Sequence, residues 1–239
     1  FSLLKDFEEY NRKKILISKG LDTDWMSKPL RSGYSINNSI GASGRGNDMT
    51  YRVNANMRNI KGVMKDDYRN TIGLSMFLSY HVDNRVTVSF QSSYSDLTWK
   101  ESPYGSFSDY VIMNPYDAPY DEYGRVNKTM SWEMANPLFE AECGNYDEGA
   151  SRSFTNTLSF RWDVLPGFFI NGTGTIVTSR ERTEKFISPE SNEFKDVANR
   201  SEQGSLSINN IRRLSYEGKF VVNYAKNLGE DYLLTLHGG

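Results

Sequence analysis

A chain of 239 residues with a net charge of −2 and a mean hydropathy of −0.61 can hold one large domain or two small ones, and it lacks the basic excess that would point to nucleic acid as a partner. No apolar run reaches the length of a transmembrane helix, but this leaves a membrane barrel open, because barrel strands are polar on one face. The single cysteine, Cys143, excludes an internal disulfide framework and a cysteine-rich metal site, and with no partner His in "EAECGNYDEG" it reads as an inert loop thiol.

Residues 1–33 are charged and partly helical in pattern, then loop-like around Pro29 and Gly33. From Tyr34 onward an apolar residue recurs at every second position, the signature of strands. Tyr34, Ile36, Ile40 and Ala42 form one such set, and Tyr51, Val53, Ala55 and Met57 form the next beyond a short turn near 44–50. A longer polar connection (59–70) leads to "TIGLSMFLSYHVDNRVTVSFQSSY". There Ile72, Leu74, Met76, Leu78 and Tyr80 alternate with small or polar residues, and "VDNR" makes a hairpin. Residues 100–152 show little periodicity and read as a very long connection. Phe154, Leu158, Phe160 and Trp162 resume the alternation, "LPG" turns the chain, and Phe168, Ile170 and Ile176 continue it with Gly172 and Gly174 on the apolar side. After a polar connection at 183–204, a strand over 205–226 carries Tyr216, Phe220, Val222 and Tyr224. "NLGED" then turns into Tyr232, Leu234 and Leu236, which reads as an unfinished strand in a piece of a longer protein.

The expectation is therefore an all-β chain: a transmembrane, antiparallel, up-and-down β-barrel segment of about eight strands. Its connections alternate short and long, as the periplasmic turns and extracellular loops of outer-membrane barrels do. A soluble Greek-key sandwich has no reason to keep every second connection tight. Tyr51, Tyr80, Trp162, Phe168, Tyr224 and Tyr232 all fall beside short turns on the apolar face, as a girdle at the headgroup level would. Tyr34, Tyr94, Phe154 and Tyr216 would begin a second girdle. The faces of Ser75, Ser79, Ser89 and Gln91, and of Arg52, Arg58 and Arg161 with Asp163, would look into the lumen, toward a plug, solvent or a substrate route.

No catalytic spacing is present: His81 and His237 are isolated, and HExxH, GxSxG and P-loop patterns are absent. "GASGRG" matches no dinucleotide fingerprint. We expect no enzyme, no cofactor and no metal centre; Asp117, Asp121 and Glu122 could gather around a calcium ion, but not at EF-hand spacing. The candidate recognition residues are aromatic. Tyr104, Phe107, Tyr110, Tyr116, Tyr120 and Trp132 lie in the long connection among carboxylates, a mixture suited to sugar faces or to docking a partner protein, and equally to a loop packing on itself.

The stretch "LDTDWMSKPLRSGYSINNSIGASG", with Thr23, Asp24 and Trp25, resembles the plug-to-barrel junction of SusC/RagA-type TonB-dependent outer-membrane transporters. "YRVNANMRNIKGVMK", "NPLFEA", "FISPES" and "SYEGKFVVNYAKNLGEDYLLTLHGG" resemble successive strands and loops of the same family. The resemblance implies a barrel of about 22 strands, with residues 1–33 as the end of the plug and its linker and 34–239 as the first part of the barrel wall. It implies import of oligosaccharides or peptides across the outer membrane of a Gram-negative bacterium, glycan uptake being the expected case. It also implies a SusD-like surface lipoprotein as cap and TonB acting on the plug. The alternatives are a structural or adhesive surface barrel and a small eight-stranded barrel complete in itself.

Overall fold

The computed structural model describes residues 2–82, 85–130, 134–227 and 233–239. A helix, α1 (Ser2–Ser18), precedes a single eight-stranded sheet whose strands follow chain order and pair antiparallel with their neighbours. The strands are β1 (Tyr34–Arg45), β2 (Met49–Lys61), β3 (Tyr68–Val82), β4 (Val86–Lys100), β5 (Tyr146–Leu165), β6 (Phe168–Ile187), β7 (Ser205–Asn227) and β8 (Leu233–Gly238). The two short helices, α2 (Phe107–Val111) and α3 (Pro137–Glu142), both belong to the long β4–β5 connection.

The expected up-and-down order is present, with three boundaries moved. The connection expected at 100–152 spans 101–145, that expected at 183–204 spans 188–204, and that expected at 59–70 shrinks to 62–67. The first two corrections share one cause, and in the third β2 and β3 simply run a few residues further, to Lys61 and from Tyr68. Strands β5 and β6 run 20 residues and β7 runs 23, about twice the 9–11 needed to cross a hydrocarbon layer. The ends of β5 and β6 away from the tight turns (147–153 and 179–185) carry charged or small residues on both faces, so no alternation marks them as strand, whereas β7 begins where expected. Among the aromatics expected beside short turns, Tyr232 lies outside the described residues.

The register assigns every side chain to a face. Ile72, Leu74, Met76 and Leu78 pair across the sheet with Met57, Ala55, Val53 and Tyr51 on one side, and Leu74 and Leu78 with Tyr94 and Phe90 on the other. All share one face, which continues through Phe154, Leu158, Phe160, Ile176, Tyr216 and Phe220. The opposite face carries Asn54, Ser75, Ser79, Ser89, Thr157, Ser159, Thr173 and Thr175, tied by hydroxyl contacts such as Ser89 Oγ to Ser79 Oγ at 3.0 Å and Thr157 Oγ1 to Thr175 Oγ1 at 3.1 Å. Arg52, Arg58 and Arg161 lie on this polar face as expected; Arg161 pairs with Asp163 at 2.8 Å and stacks on Phe169.

Burial runs opposite to that of a soluble protein. Ile40 and Tyr216 on the apolar face are 76% and 84% exposed, while Ser79 and Asn223 on the polar face are 7% and 8% exposed. The buried apolar cluster lies in the connections, around Trp25, Tyr110, Met113, Met130 and Leu138.

Tight turns hold the register at one end. Leu165 and Phe168 pair directly across Pro166 and Gly167, and Gly167 sits at φ +80°. Its amide neighbourhood closes on β7: the Ala225 N–H donates to the Gly167 carbonyl at 2.7 Å, and a Cβ at Gly167 would run into the Ala225 carbonyl oxygen. Positive φ and a blocked Cβ together require glycine here. Gly167→Ala is expected to cost about 1–3 kcal/mol, read as a lowered urea midpoint of the reconstituted protein by tryptophan fluorescence. An unchanged midpoint would mean that the turn does not set the register.

Candidate functional site

The long connections fold together into one mass at the end of the sheet away from the tight turns. Segment 101–145 is built by local caps. Ser106 caps α2 by accepting from the Ser108 N–H, and Asn136 caps α3 by accepting from the Leu138 N–H at 3.0 Å. Asn136 is fully buried, and its amide donates to the carbonyls of Pro119 and Asn127 at 3.0 and 2.8 Å. One side chain thus ties three strands of the loop, which is how a long segment without a sheet keeps its buried polar groups satisfied.

Thr23 and Trp25, expected at a junction, turn out to belong to the same unit as the long connection. The Thr23 N–H donates to the Pro115 carbonyl at 2.7 Å, and the Trp25 indole N–H donates to the Asn114 carbonyl at 2.9 Å. The Trp25 ring is 3% exposed and packs in the loop core with Tyr110 and Leu138. Asp24 stays outside, where it accepts from the Ser27 N–H and caps the turn that follows. Further stitches join 28–31 to the β2–β3 connection: Lys65 N–H to the Pro29 carbonyl at 2.8 Å, and Arg31 Nε to the Gly62 carbonyl at 3.1 Å. No spacing rule could have linked residue 25 to residue 114; a Trp in an otherwise polar segment was the one available signal.

The six candidate recognition aromatics separate by exposure. Tyr110 is fully buried and presents no surface to a ligand; its hydroxyl has no hydrogen-bond partner, and burial raises its pKa. Tyr104 packs against the same core beneath the Lys65 ammonium, and burial raises its pKa too. Tyr116 is half-buried. Phe107 and Tyr120 are exposed, Tyr120 under the Lys28 ammonium. Trp132 lies outside the described residues. Tyr123 is the most exposed ring of this segment and carries the Arg125 guanidinium over its face at 5.3 Å. Asp121 spends its carboxylate on its own turn, accepting from the N–H groups of Tyr123 and Arg125 and from Arg125 Nε, and these bonds, led by the Arg125 amide, hold its pKa down. Among the described residues no group of three or more His, Cys, Asp or Glu is placed to hold a metal ion.

A residue not anticipated from sequence joins the two longest connections. The Glu140 carboxylate accepts from Ser191 Oγ at 2.7 Å, the Asn192 N–H at 2.8 Å, Asn192 Nδ2 at 2.9 Å and Asn145 Nδ2 at 3.2 Å. An open polar cleft borders this clasp, lined by Pro103, Tyr146, Lys185 and Glu193. Cys143 lies next to Glu140; burial first, and the Glu140 charge second, push its thiol pKa up. Because the thiolate is the reactive form, alkylation of Cys143 should reach half its maximal rate at a higher pH than a free cysteine does. Glu140→Gln should bring that midpoint down and open 188–204 to protease. A Cys143 that alkylates like free cysteine at pH 7.5 would contradict this arrangement.

No family model matches the chain, and no curated protein does. Among solved structures it is similar to the RagAB peptide transporter (TM-score 0.69, 14% identity, 90% of this chain and 25% of that one). It is similar to the RagAB peptide importer in its 'open-open' state (TM-score 0.69, 14% identity, 90% and 24%) and in its 'closed-closed' state (TM-score 0.68, 14% identity, 90% and 24%). The chain thus has the fold of a barrel-wall segment of that importer and spans about a quarter of the length of the chains it matches. The structures it resembles are transport proteins, not enzymes.

Proposed function

We propose that this chain forms part of the wall and outer mouth of a TonB-dependent outer-membrane importer of the SusC/RagA type. It would take up oligomeric nutrients, oligosaccharide or peptide, with a SusD-like lipoprotein over the mouth and TonB acting on the plug. One observation carries the membrane part: the uncovered apolar face is bounded by two parallel aromatic lines. The line at the long-connection end runs through Tyr34, Tyr68, Tyr94, Phe154 and Tyr216, and the register steps it down eight residues over six strands. The line at the tight-turn end runs through Tyr51, Tyr80, Trp162, Phe168 and Tyr224, stepping down six residues over five strands. At about 3.3 Å per residue and about 4.8 Å per strand, both lines lie about 40° from the hydrogen-bond direction. Strands tilted by about 35–45° in a bilayer require that angle. The lines are eight positions apart on β5 and β7 and twelve on β3, a height of about 20–30 Å at that tilt, which brackets the ~25 Å apolar band of such barrels.

The folded mass of connections then lies on one side of the membrane, which we take as outside. Residues 1–33 would bring the chain from the plug to the barrel wall along the outer mouth, a path that the hydrogen bonds of Trp25 to Asn114 and of Thr23 to Pro115 support. Exposed Phe107, Tyr120 and Tyr123 are the aromatic surface offered to substrate or cap; large rings with few rotatable bonds suit that task. The likeness to a peptide importer makes peptide as reasonable a substrate as glycan.

Two experiments test this reading. In the full-length protein, Leu74→Arg should reduce assembly into the outer membrane, since a cation on the lipid face costs roughly 2–4 kcal/mol at the midplane. Ser75→Arg, on the polar face, should assemble normally, and equal assembly of the two would refute the facing. For transport, deletion of 116–126 should leave the barrel assembled while lowering uptake of labelled peptides or oligosaccharides, or co-purification of the lipoprotein. Normal uptake and normal co-purification from an assembled barrel would leave the surface-adhesin reading in its place.

A further inference from the structure

On the outward, apolar face a row of three arginines lies directly beyond the outer aromatic line. Arg152 on β5 pairs in register with Arg180 on β6, and Arg180 with Arg212 on β7. All three side chains are exposed. Arg152 is two residues past Phe154 and Arg212 four past Tyr216, so the guanidiniums start about 5–10 Å outside that line at the tilt derived above. The carboxylates of this face near the row are Asp96, Glu148 and Glu184, with Glu148 four residues beyond Arg152 and opposite Lys100 and Glu184. Asp96, in the same row, pairs with Arg152 at 3.1 Å, and Glu184 pairs with Arg182 at 2.9 Å. Among the described residues Arg180 and Arg212 have no carboxylate partner. Like charges directly opposite each other in a sheet are unfavourable, and here two such pairs follow one another.

We infer that this row binds the phosphate of a phosphorylated glycolipid of the outer leaflet, of the lipid A kind. The inference rests on the membrane reading above. Three features favour that occupant. The site is continuous with the face given to lipid, so acyl chains can lie along Tyr94, Phe154, Leu214 and Tyr216 while the headgroup reaches the arginines. Guanidinium forks match phosphate oxygens with paired N–H donors, which a lysine row would not do. The anion also removes the like-charge repulsion, which gives the row a reason to exist on a surface where neutral polar residues would serve solvation equally well.

The test uses the full-length transporter purified in mild detergent. Native mass spectrometry should find phosphorylated glycolipid on the wild-type protein. Arg180→Glu combined with Arg212→Glu should lower that retention by about tenfold or more, given about 1 kcal/mol per basic residue at an anionic surface. Arg213→Glu, one residue along β7 on the polar face, should leave it unchanged. Added lipid A should raise the thermal midpoint of delipidated wild-type protein, and inorganic phosphate at equal concentration should not. Should the charge-reversed protein fail to assemble, the Arg180→Gln, Arg212→Gln pair is read in the same way. Undiminished lipid in either assembled double variant overturns the inference, and so does equal protection by free phosphate. Retention of inner-leaflet phospholipid instead of glycolipid would overturn the leaflet, and with it the orientation. Loss of nutrient uptake is scored separately: a protein that keeps arginine-dependent lipid but imports nothing contradicts the transport reading alone.

Discussion

The unbroken hydrogen-bond ladder from β1 to β8 is the constraint on which the rest of this molecule depends. Each strand from β2 to β7 gives its N–H and C=O groups to neighbours on both sides, β1 and β8 pair along one edge only, and no helix among the described residues is long and apolar enough to cross a membrane. A layer that cannot hydrogen-bond can be met only by a surface that asks nothing of it. With the backbone of β2 to β7 satisfied within the sheet, side chains alone decide what each face of these strands meets. Alternation does the sorting: leucine, methionine and aromatics on one side, and serine, threonine and asparagine on the other. The apolar side chains stay exposed because no described residue covers them, and their uniformity over seven strands makes that exposure a property of the fold rather than a stray patch.

Legibility in the sequence follows the same division. Between the two aromatic lines the environment differs between faces, so the period of two is sharp, and Ile72 to Leu78 or Leu158 to Trp162 could be placed on a strand and on a face at sight. Beyond the lines both faces meet the same medium. Glu148, Ser151, Arg182 and Glu184 are strand residues that no periodicity betrays, and this is why the connections looked longer than they are. The tight turns were legible for another reason: Pro166-Gly167 declares its geometry locally, through a fixed φ at one residue and a positive φ at the next.

The loop mass was legible only in composition. Its aromatics were apparent, but whether a tyrosine is core or surface depends on contacts between residues far apart in sequence. Tyr110 and Tyr120 look alike in the chain, yet one is sealed beneath Trp25 and the other faces outward. Glu140 gave no signal at all. It is one acidic residue among thirty acidic residues, and only folding reveals that it accepts from groups some fifty positions away. Buried clasps of this kind do not repeat and have no period, so pattern reading misses them.

The same clasp bears on how the folded mass of connections can move. Trp25 fixes the approach segment to the 101–145 connection, Lys65 and Ser102 fix that connection to the β2–β3 link, and Glu140 fixes it to 188–204. A displacement at any one of these segments must either break one of these partly buried hydrogen bonds, charge-assisted at Glu140, or carry the others with it. Breaking one leaves buried polar groups unsatisfied at about 1–3 kcal/mol each, whereas moving the mass as a unit bends only the residues that join it to the strand ends. The joints at Glu101 and Tyr146 are bonded backbone to backbone, Glu101 N–H to the Asp147 carbonyl at 2.8 Å, so the least costly motion is a rocking of the whole mass about the ends of β4 and β5. In such a motion Phe107, Tyr120 and Tyr123 keep their places relative to one another, and a surface made of them would open and close as one face rather than rearrange.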